Sequence, residues 1–347
     1  MDTNEDVKTK RYKRTIFGLL ACVLILILII LFETCFLCYR TFYHTASAGD
    51  EVVATTRPAA PAADQPKLWK APDESTIPAG AAGETIKYGR ELIAHTAKYL
   101  GPKGTVMQIS NGMNCQNCHL EAGTKPFGNN YSAVAATYPR FRARSNSNES
   151  IYKRISDCFE RSLNGKAPDT TTKEMLAMKA YMEWLGSNVN KGTKPPGSGL
   201  TKLAYLDRAA APEKGKAVYT QKCQVCHGAG GEGVLNTDAL TYVYPPLWGP
   251  HSYNDAAGLF RLSNFAGYVK DNMPFGATHD NQQLTDEECW DVAAFINSQP
   301  RPHKDQTADW HDMKQKPIDF PYGPFADAFT ESEHKYGPYQ PIKDARN

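Results

Sequence analysis

The segment Cys115-Gln116-Asn117-Cys118-His119 has a counterpart further along the chain, Cys223-Gln224-Val225-Cys226-His227. Both have the pattern Cys-x-x-Cys-His, in which the cysteines can form thioethers to haem vinyl groups and the histidine can ligate the iron. A zinc or disulfide site is the alternative for a single copy. Two copies in similar surroundings favour two covalently attached haem c groups, with Cys115, Cys118, Cys223 and Cys226 as attachment points and His119 and His227 as iron ligands.

Similar helical patterns flank the two motifs. Apolar residues recur at helical spacing at residues 88–93, 172–185, 213–219 and 285–298. From His119 to Trp184 there are 65 residues, and from His227 to Phe295 there are 68. This internal repeat predicts an all-α fold with two cytochrome c class I-like haem domains in tandem, at 85–190 and 213–300, joined by a linker at 191–212.

The N-terminus has the pattern of a membrane anchor. Residues 16–32 carry no charge, and the apolar run resumes after Glu33 as far as Tyr39, enough to cross the ~30 Å hydrocarbon core. Basic residues precede it, which predicts a cytoplasmic segment at 1–14, a single transmembrane helix at 15–39 in the inner (cytoplasmic) membrane, and haem domains in the periplasm. A signal peptide cleaved near Ala46-Ser47-Ala48 is the alternative.

Two further segments lie outside the predicted domains. Residues 40–84 are rich in Ala and Pro, have no helix or strand period, and are interpreted as a tether. Residues 301–347 are rich in Pro, Tyr and Lys and form a C-terminal extension, which we expect to wrap around the protein's own surface. Docking of a partner through this extension is the alternative.

Charge and cysteine count exclude two classes of protein. The net charge of +2 gives no indication of nucleic-acid binding. Of the nine cysteines, three lie in or beside the apolar N-terminal segment and four belong to the motifs. The remaining two, Cys158 and Cys289, do not make a disulfide framework. Cys289 lies on the apolar face of a predicted helix, so we expect it to be a packing residue.

The sixth iron ligand of the second haem is predicted to be Met273, in Asn272-Met273-Pro274. It lies 46 residues after His227, in a polar segment ahead of the closing helix. A soft, neutral thioether paired with His favours a haem of high potential that transfers electrons. Packing is the alternative role, but a Met followed by Pro in a polar segment is a poor core residue.

The first domain has no methionine in the matching place. Met175, Met178 and Met182 lie within the predicted closing helix at core spacing, which favours packing. The residue in the corresponding position is Cys158. A thiolate there would donate electron density to the iron and could also act as a nucleophile. A buried structural cysteine is the alternative.

Basic residues cluster around Cys158. Six lie within 22 residues of one another: Arg140, Arg142, Arg144, Lys153, Arg154 and Arg161. Arginine binds tetrahedral oxyanions with two parallel hydrogen bonds, so the cluster indicates a pocket for a small polyanion. A solvated basic surface, or contacts to haem propionates, is the alternative.

Residues 84–347 resemble the dihaem thiosulfate dehydrogenases that form tetrathionate. The resemblance rests on residues 114–120, 157–165 and 272–274 and on tail segments that begin at Lys316, Tyr322 and His334. It implies ligation of the first haem by His119 and Cys158, and it nominates Arg144, Arg154 and Ser162 as active-site residues. Some members have a ligand-switching Lys directly before the distal Met. Here Asn272 has that place, and Lys270 is the nearest lysine.

The resemblance implies an oxidoreductase that converts two thiosulfate ions to tetrathionate, or the reverse. Electrons would pass through the second haem to an external acceptor, such as a small cytochrome c or another periplasmic redox protein. A membrane-tethered dihaem electron-transfer subunit of a respiratory complex is the main alternative. The residue that distinguishes the two is Cys158, because a pure electron carrier is expected to have Met or His there.

Overall fold

The computed structural model describes residues 24–34, 67–237 and 241–346. Residues 24–34 are helical and their apolar side chains are exposed. The basic segment 1–14, most of the predicted anchor and the tether up to residue 66 lie outside the described residues. Among the helices that are described, none combines the length and the apolar character needed to cross a membrane.

Three helices form the frame of the first domain: α1 (Ala81–Ala94), α2 (Ile151–Arg161) and α3 (Lys173–Leu185). Helices α1 and α3 cross in close contact at Gly89, where a Cβ atom would lie 2.0 Å from the carbonyl oxygen of Ala177. Such close approach needs a residue without a side chain. The crossing brings the beginning and the end of the domain together.

The predicted closing helix of the first domain is confirmed as α3. Thr172 is its N-cap and accepts a hydrogen bond from the amide of Met175. Met175 and Met178 are fully buried and Met182 is 6% exposed, so all three pack in the core as expected.

The second domain repeats this arrangement with α4 (Pro212–Lys222), α5 (Leu262–Asn272) and α6 (Asp286–Ser298). Gly215 on α4 packs against the backbone of α6, as Gly89 packs against α3. The capping box predicted at Thr285 and Glu288 is present at the start of α6. Cys289 is fully buried on this helix, which confirms its packing role.

Short elements connect the main helices. The described residues form two antiparallel pairs of strands, β1 (Arg140–Arg142) with β2 (Ser147–Glu149), and β3 (Val234–Leu235) with β4 (Tyr242–Tyr244). The sequence pattern does not predict these strands, and the fold is mainly helical rather than purely α. The remaining short helices are Thr96–Leu100, Leu120–Gly123, Val134–Thr137 and Gln224–His227, with 3-10 turns at Glu74–Thr76, Cys115–Asn117, Gly258–Phe260 and Met313–Gln315.

The tether is shorter than the sequence suggested. Residues from 67 onward belong to the folded body: Trp69 is 6% exposed and its indole N–H donates to Asn188 Oδ1 at 2.9 Å. Helix α1 also begins at Ala81, four residues before the predicted start of the domain. The prediction of a linker up to residue 84 was wrong for residues 67–84, because this segment buries the side chain of Trp69. Amino-acid composition does not show which aromatic side chains are buried.

The C-terminal extension packs on the body of the protein. It ends in α7 (Glu331–Tyr336) and α8 (Tyr339–Ala345). Tyr339 and Ile342 are buried in the core of the second domain. The expected self-wrapping is therefore seen in the contacts of the extension.

Candidate active site in the first haem domain

Two cavities contain the residues of the two motifs. One, of about 330 Å³, is lined by Cys223, Cys226, His227 and Met273, among others. We call it the second-domain cavity. The other, of about 460 Å³, is lined by Cys118, His119, Cys158, Arg154 and Ser162, among others, and we call it the first-domain cavity. Each predicted pair of iron ligands therefore lies on the wall of one cavity.

Both motif histidines are held in the form that ligates iron. His119 Nδ1 lies 2.5 Å from the carbonyl oxygen of Asn129, and His227 Nδ1 lies 2.9 Å from that of Pro245. These contacts leave Nε2 as the free nitrogen. Burial lowers the pKa of His119 to about 4 and also lowers that of His227, which favours the neutral ring in both. This donor set, with two cysteines beside each histidine, fits covalently attached haem c.

Local contacts fix the first motif against the short helix Thr96–Leu100. Its cysteines lie on a 3-10 turn with a capping box formed by Asn114 and Asn117. Asn114 Oδ1 also accepts the amide of Ala97 at 2.9 Å, and the Thr96 hydroxyl accepts the amide of Cys115 at 3.0 Å. The His119 ring stacks on a tyrosine, Tyr131, with 4.5 Å between ring centroids.

Helix α2 positions Cys158 through its side-chain spacing. Residues four apart lie on one helix face, so Arg154, Cys158 and Ser162, which caps the helix, form one stripe along the cavity wall. The stripe of Ile151, Ile155 and Phe159 is buried and packs into the core. Core packing of that second stripe therefore turns the sulfur of Cys158 toward the cavity.

Arg154 interacts with the sulfur of Cys158. The charge of the Cys158 thiolate is the largest influence on this guanidinium and raises the pKa of Arg154 above its ordinary value. Among the described residues, Arg154 has no carboxylate within ion-pair distance. It therefore places near the sulfur a positive charge that is in no direct ion pair, although Asp157 and Glu149 act on it from farther away.

Carboxylates lie within ion-pair distance of four of the six predicted cations, Arg142 among them. Asp157 is buried and binds Arg144 at 2.6 Å and Lys153 at 2.5 Å. Burial acts to raise the pKa of Asp157, but the two cations outweigh it and the pKa is lowered. Arg161 forms two hydrogen bonds to Asp309, of 2.8 and 2.9 Å. The predicted pocket for a small polyanion therefore has fewer unpaired cations than the sequence suggests, since Arg144, Lys153 and Arg161 have carboxylate partners.

The remaining two predicted cations lie on a hairpin. Arg140 and Arg142 are on strand β1, two residues apart and so on the same face, and both line the first-domain cavity. Arg142 is 3.9 Å from Glu149 on β2, and burial lowers its pKa. The hairpin thus supplies positive charge to the wall of the cavity.

Sequence reasoning missed residues that reach the cavity from elsewhere in the chain. The C-terminal extension contributes Trp310, whose amide donates to the carbonyl of Arg144 at 2.8 Å. The interdomain segment contributes Lys194 and Lys202, and the second domain contributes Arg261. The bidentate partner Asp309 also comes from the extension. The sequence around Asp309, in a Pro-rich extension, does not indicate that this residue contacts α2.

Lys270 lies apart from the candidate iron ligands. Its amine lies 2.6 Å from Asp286 and donates to the carbonyl of Leu284 at 2.9 Å. It does not line the second-domain cavity, whereas Met273 does. The contacts of Lys270 therefore direct it to the start of α6.

The two cavities share part of their walls. Cys118 and Leu259 line both of them. The hydroxyl of Tyr268 on α5 also donates to the carbonyl oxygen of Asn117, inside the first motif, at 2.8 Å. Contacts of this kind place the first motif directly against the second domain.

Comparison with known proteins agrees with this geometry. Residues 105–190 match the family described as the SoxA/TsdA cytochrome c domain, and residues 212–300 match cytochrome c. The thiosulfate dehydrogenase of Psychrobacter arcticus is 38% identical over 266 residues, covering 76% of this chain and 77% of that protein. That of Allochromatium vinosum is 39% identical over 235 residues, covering 67% and 83%.

A solved structure is also similar. It is the as-isolated form of thiosulfate dehydrogenase (TsdBA) from Marichromatium purpuratum, with 32% identity and a TM-score of 0.62. The match covers 69% of this chain, which spans half the length of that solved chain. The two matched domains indicate that this protein carries covalently bound haem c in both. The chain belongs to the thiosulfate dehydrogenase family of c-type cytochromes.

Proposed function

We propose that this protein oxidises two thiosulfate ions to tetrathionate in the first-domain cavity, with Cys158 as both iron ligand and nucleophile. The observation that carries the proposal is the stripe of Arg154, Cys158 and Ser162 on α2, in the same cavity as His119. A sulfur nucleophile beside an arginine without a carboxylate partner suits a substrate that is a sulfur dianion.

The residues around Cys158 suit two successive sulfur transfers. The thiolate of Cys158 and the terminal sulfur of one thiosulfate form an S–S bond, and two electrons leave. The sulfur of a second thiosulfate then attacks the outer sulfur of this adduct, which releases tetrathionate and regenerates the thiolate. Haem c, when bound, supplies one-electron acceptance at each of the two sites. Arg154 offsets the negative charge of the Cys158 thiolate, before the adduct forms and again as the thiolate leaves.

The second-domain cavity suits the exit of electrons. We propose that His227 and Met273 ligate the second iron, a pair that favours a high potential. The wall that both cavities share, through Cys118 and Leu259, supports a short route between the two sites. An external redox protein, such as a small cytochrome c, would take the electrons from the second site.

We also propose that residues 15–39 anchor the protein in the inner membrane, with the haem domains in the periplasm. The support is the uncharged run at 16–32 and the basic residues before it.

A pair of variants tests the proposal. We expect Cys158→Gly to abolish thiosulfate-dependent reduction of ferricyanide and to change the absorption and EPR spectra of the first haem only. Arg154→Gln should lower the activity ~10- to 100-fold, because one charge-assisted contact of about 1.5–3 kcal/mol is lost. Both spectra should stay unchanged. Tetrathionate is measured as the product.

Retained activity in Cys158→Gly would remove Cys158 from the mechanism. An inactive wild-type protein with both haem groups loaded would favour an electron carrier instead. An unchanged first-haem spectrum in Cys158→Gly would show that another group ligates that iron.

A further inference from the structure

The proposed reaction brings a second thiosulfate dianion to a cavity that already holds one as an adduct on Cys158. Arg154 is committed to the sulfur of Cys158, and Arg144 and Arg161 are committed to Asp157 and Asp309. The attacking dianion therefore needs cations other than these three. The following inference rests on the proposed function and concerns where that second ion binds.

A second group of cations lines the first-domain cavity from outside the first domain. Lys194 and Lys202 come from the interdomain segment, and Arg261 directly precedes α5. Both lysines are exposed although they line the cavity. They therefore lie where the cavity meets solvent, on the path that a charged substrate takes.

This group retains excess positive charge. Arg261 is held by Asp319, which accepts from its Nη2 at 2.6 Å and its Nε at 2.9 Å. Within the described part of the chain, Lys202 donates only to an amide oxygen, that of Asn264, at 3.3 Å. Among the described residues, Lys194 has no carboxylate within ion-pair distance. The three cations and the carboxylate of Asp319 together carry a net charge of +2. This charge is equal and opposite to that of thiosulfate.

The contacts of Lys202 agree with an anion site. Although the side chain of Lys202 reaches solvent, the protein atoms around it and the nearby charges of Arg261 and Lys194 lower its pKa, while Asp319 acts in the opposite direction. A bound dianion would relieve this repulsion among like charges. The two lysines are long and flexible, so they can follow the ion as its sulfur moves toward the adduct.

We propose that Lys194, Lys202 and Arg261 form the binding site of the second thiosulfate, the ion that attacks the adduct on Cys158. The attack forms the central S–S bond of tetrathionate and breaks the bond between the adduct and Cys158 Sγ, which leaves as thiolate. No electron is exchanged in this step. The site is thus built from the second haem domain and the segment between the two domains, and the first domain alone lacks it.

The test compares neutralised and conservative variants of the complete protein with both haem groups loaded. The variants are Lys202→Gln, the double variant Lys194→Gln/Lys202→Gln, and Lys202→Arg. Lys191→Gln is the matched control, because Lys191 is an exposed lysine of the same segment whose amine donates to the carbonyl of Ala135 at 2.5 Å, outside the cavity lining.

Two measurements distinguish the attack on the adduct from the formation of the adduct. Steady-state kinetics with ferricyanide give kcat and KM for thiosulfate. Rapid acid quenching during turnover, followed by mass spectrometry of the peptide that contains Cys158, gives the fraction of chains that carry the adduct. Redox titration of the first haem reports any change at the iron itself.

We expect the double variant to lose about tenfold in kcat/KM, which corresponds to about 1.4 kcal/mol. The fraction of chains with the adduct should rise, because the attack on it is slowed, and the potential of the first haem should stay unchanged. Lys202→Arg should restore most of the activity, and Lys191→Gln should match the wild type.

Four results would overturn the inference, the last of them together with the proposed function. A smaller adduct fraction in the double variant would mean that the lysines bind the first thiosulfate. A shifted potential with unchanged kinetics would mean that they bind haem propionates. Wild-type kinetics in the double variant would remove the site while leaving thiosulfate oxidation intact, and a wild-type protein without thiosulfate activity would overturn both proposals.

Discussion

At the scale of single residues, a helical repeat decides which side chains meet. The spacing of four between Arg154, Cys158 and Ser162 puts them on one face of α2, and this follows from the sequence once the helix is recognised. The pairing of Arg161 with Asp309 does not follow, because the two residues are 148 positions apart. Local periodicity predicts neighbours along a helix, whereas ion pairs across the fold depend on chain paths that periodicity does not describe.

The contacts of Lys270 and Met273 lead to a prediction about the second haem. Met273→Gly should lower the potential of that haem and remove the absorption band of the methionine–iron bond, because the soft thioether that favours ferrous iron is lost. Lys270→Ala should leave both unchanged, since its amine is bound to Asp286 and to the carbonyl of Leu284.

Redox titration and absorption spectra of the two purified variants provide the comparison. A changed spectrum in Lys270→Ala would show that this amine reaches the iron. An unchanged potential in Met273→Gly would mean that a different residue ligates it.

At the scale of elements, helix ends and helix faces were predictable, and short hairpins were not. Thr285 and Glu288 carry a capping signal that depends only on residues three apart, and the structure has this box at the start of α6. Strands β1 and β2 have three residues each, too few to show an alternating pattern. The hairpin nevertheless matters for the site, because it presents Arg140 and Arg142 to the cavity.

The crossing of α4 and α6 predicts the effect of a single methyl group. A Cβ on Gly215 would lie 1.8 Å from the carbonyl oxygen of Asp291, which is backbone and cannot move aside. We expect Gly215→Ala to destabilise the protein by about 1–3 kcal/mol through overpacking. This outweighs the ~1 kcal/mol by which Ala normally stabilises a helix over Gly.

Urea unfolding followed by circular dichroism measures the difference. Gly258→Ala is the control, since no atom lies within 4 Å of its added methyl group, and its effect should stay within about 0.5 kcal/mol. If Gly215→Ala proved as stable as the wild type, the two helices would not be in the close contact described.

At the scale of the whole molecule, the repeat in the sequence predicted the two domains but not the way in which they are joined. The similar spacing from motif to closing helix is set within each copy, so it does not predict how the two copies contact each other. The contact of Tyr268 with Asn117, and the cavity walls that the domains share, arise between the copies. The contacts of the C-terminal extension could not be predicted either. Its composition indicated an irregular segment, but its attachment to the body depends on single carboxylates such as Asp309 and Asp319.

Asp319 makes the attachment of the extension sensitive to acid. This carboxylate is 2% exposed and accepts hydrogen bonds from Arg261 and Ser263. Burial acts to raise its pKa, but the charge of Arg261 and these hydrogen bonds lower it below the ordinary value of 3.8. Because the pKa is lower in the folded state, the stabilisation is complete above pH 3.8 and is lost as the pH falls through the folded-state value.

Asp319→Asn should therefore be less stable than the wild type by about 1.5–3 kcal/mol at pH 7, the usual contribution of a hydrogen bond to a charged group. The difference should shrink once the pH falls below 3.8, where the wild-type carboxyl also takes up its proton. Urea unfolding at pH 7 and at acid pH measures both values, and hydrogen exchange of residues 316–330 locates the change. Asp344→Asn, an exposed carboxyl of the same extension, should show no such dependence. A difference that stays constant with pH would mean that Asp319 stabilises the extension through its shape and not through its charge.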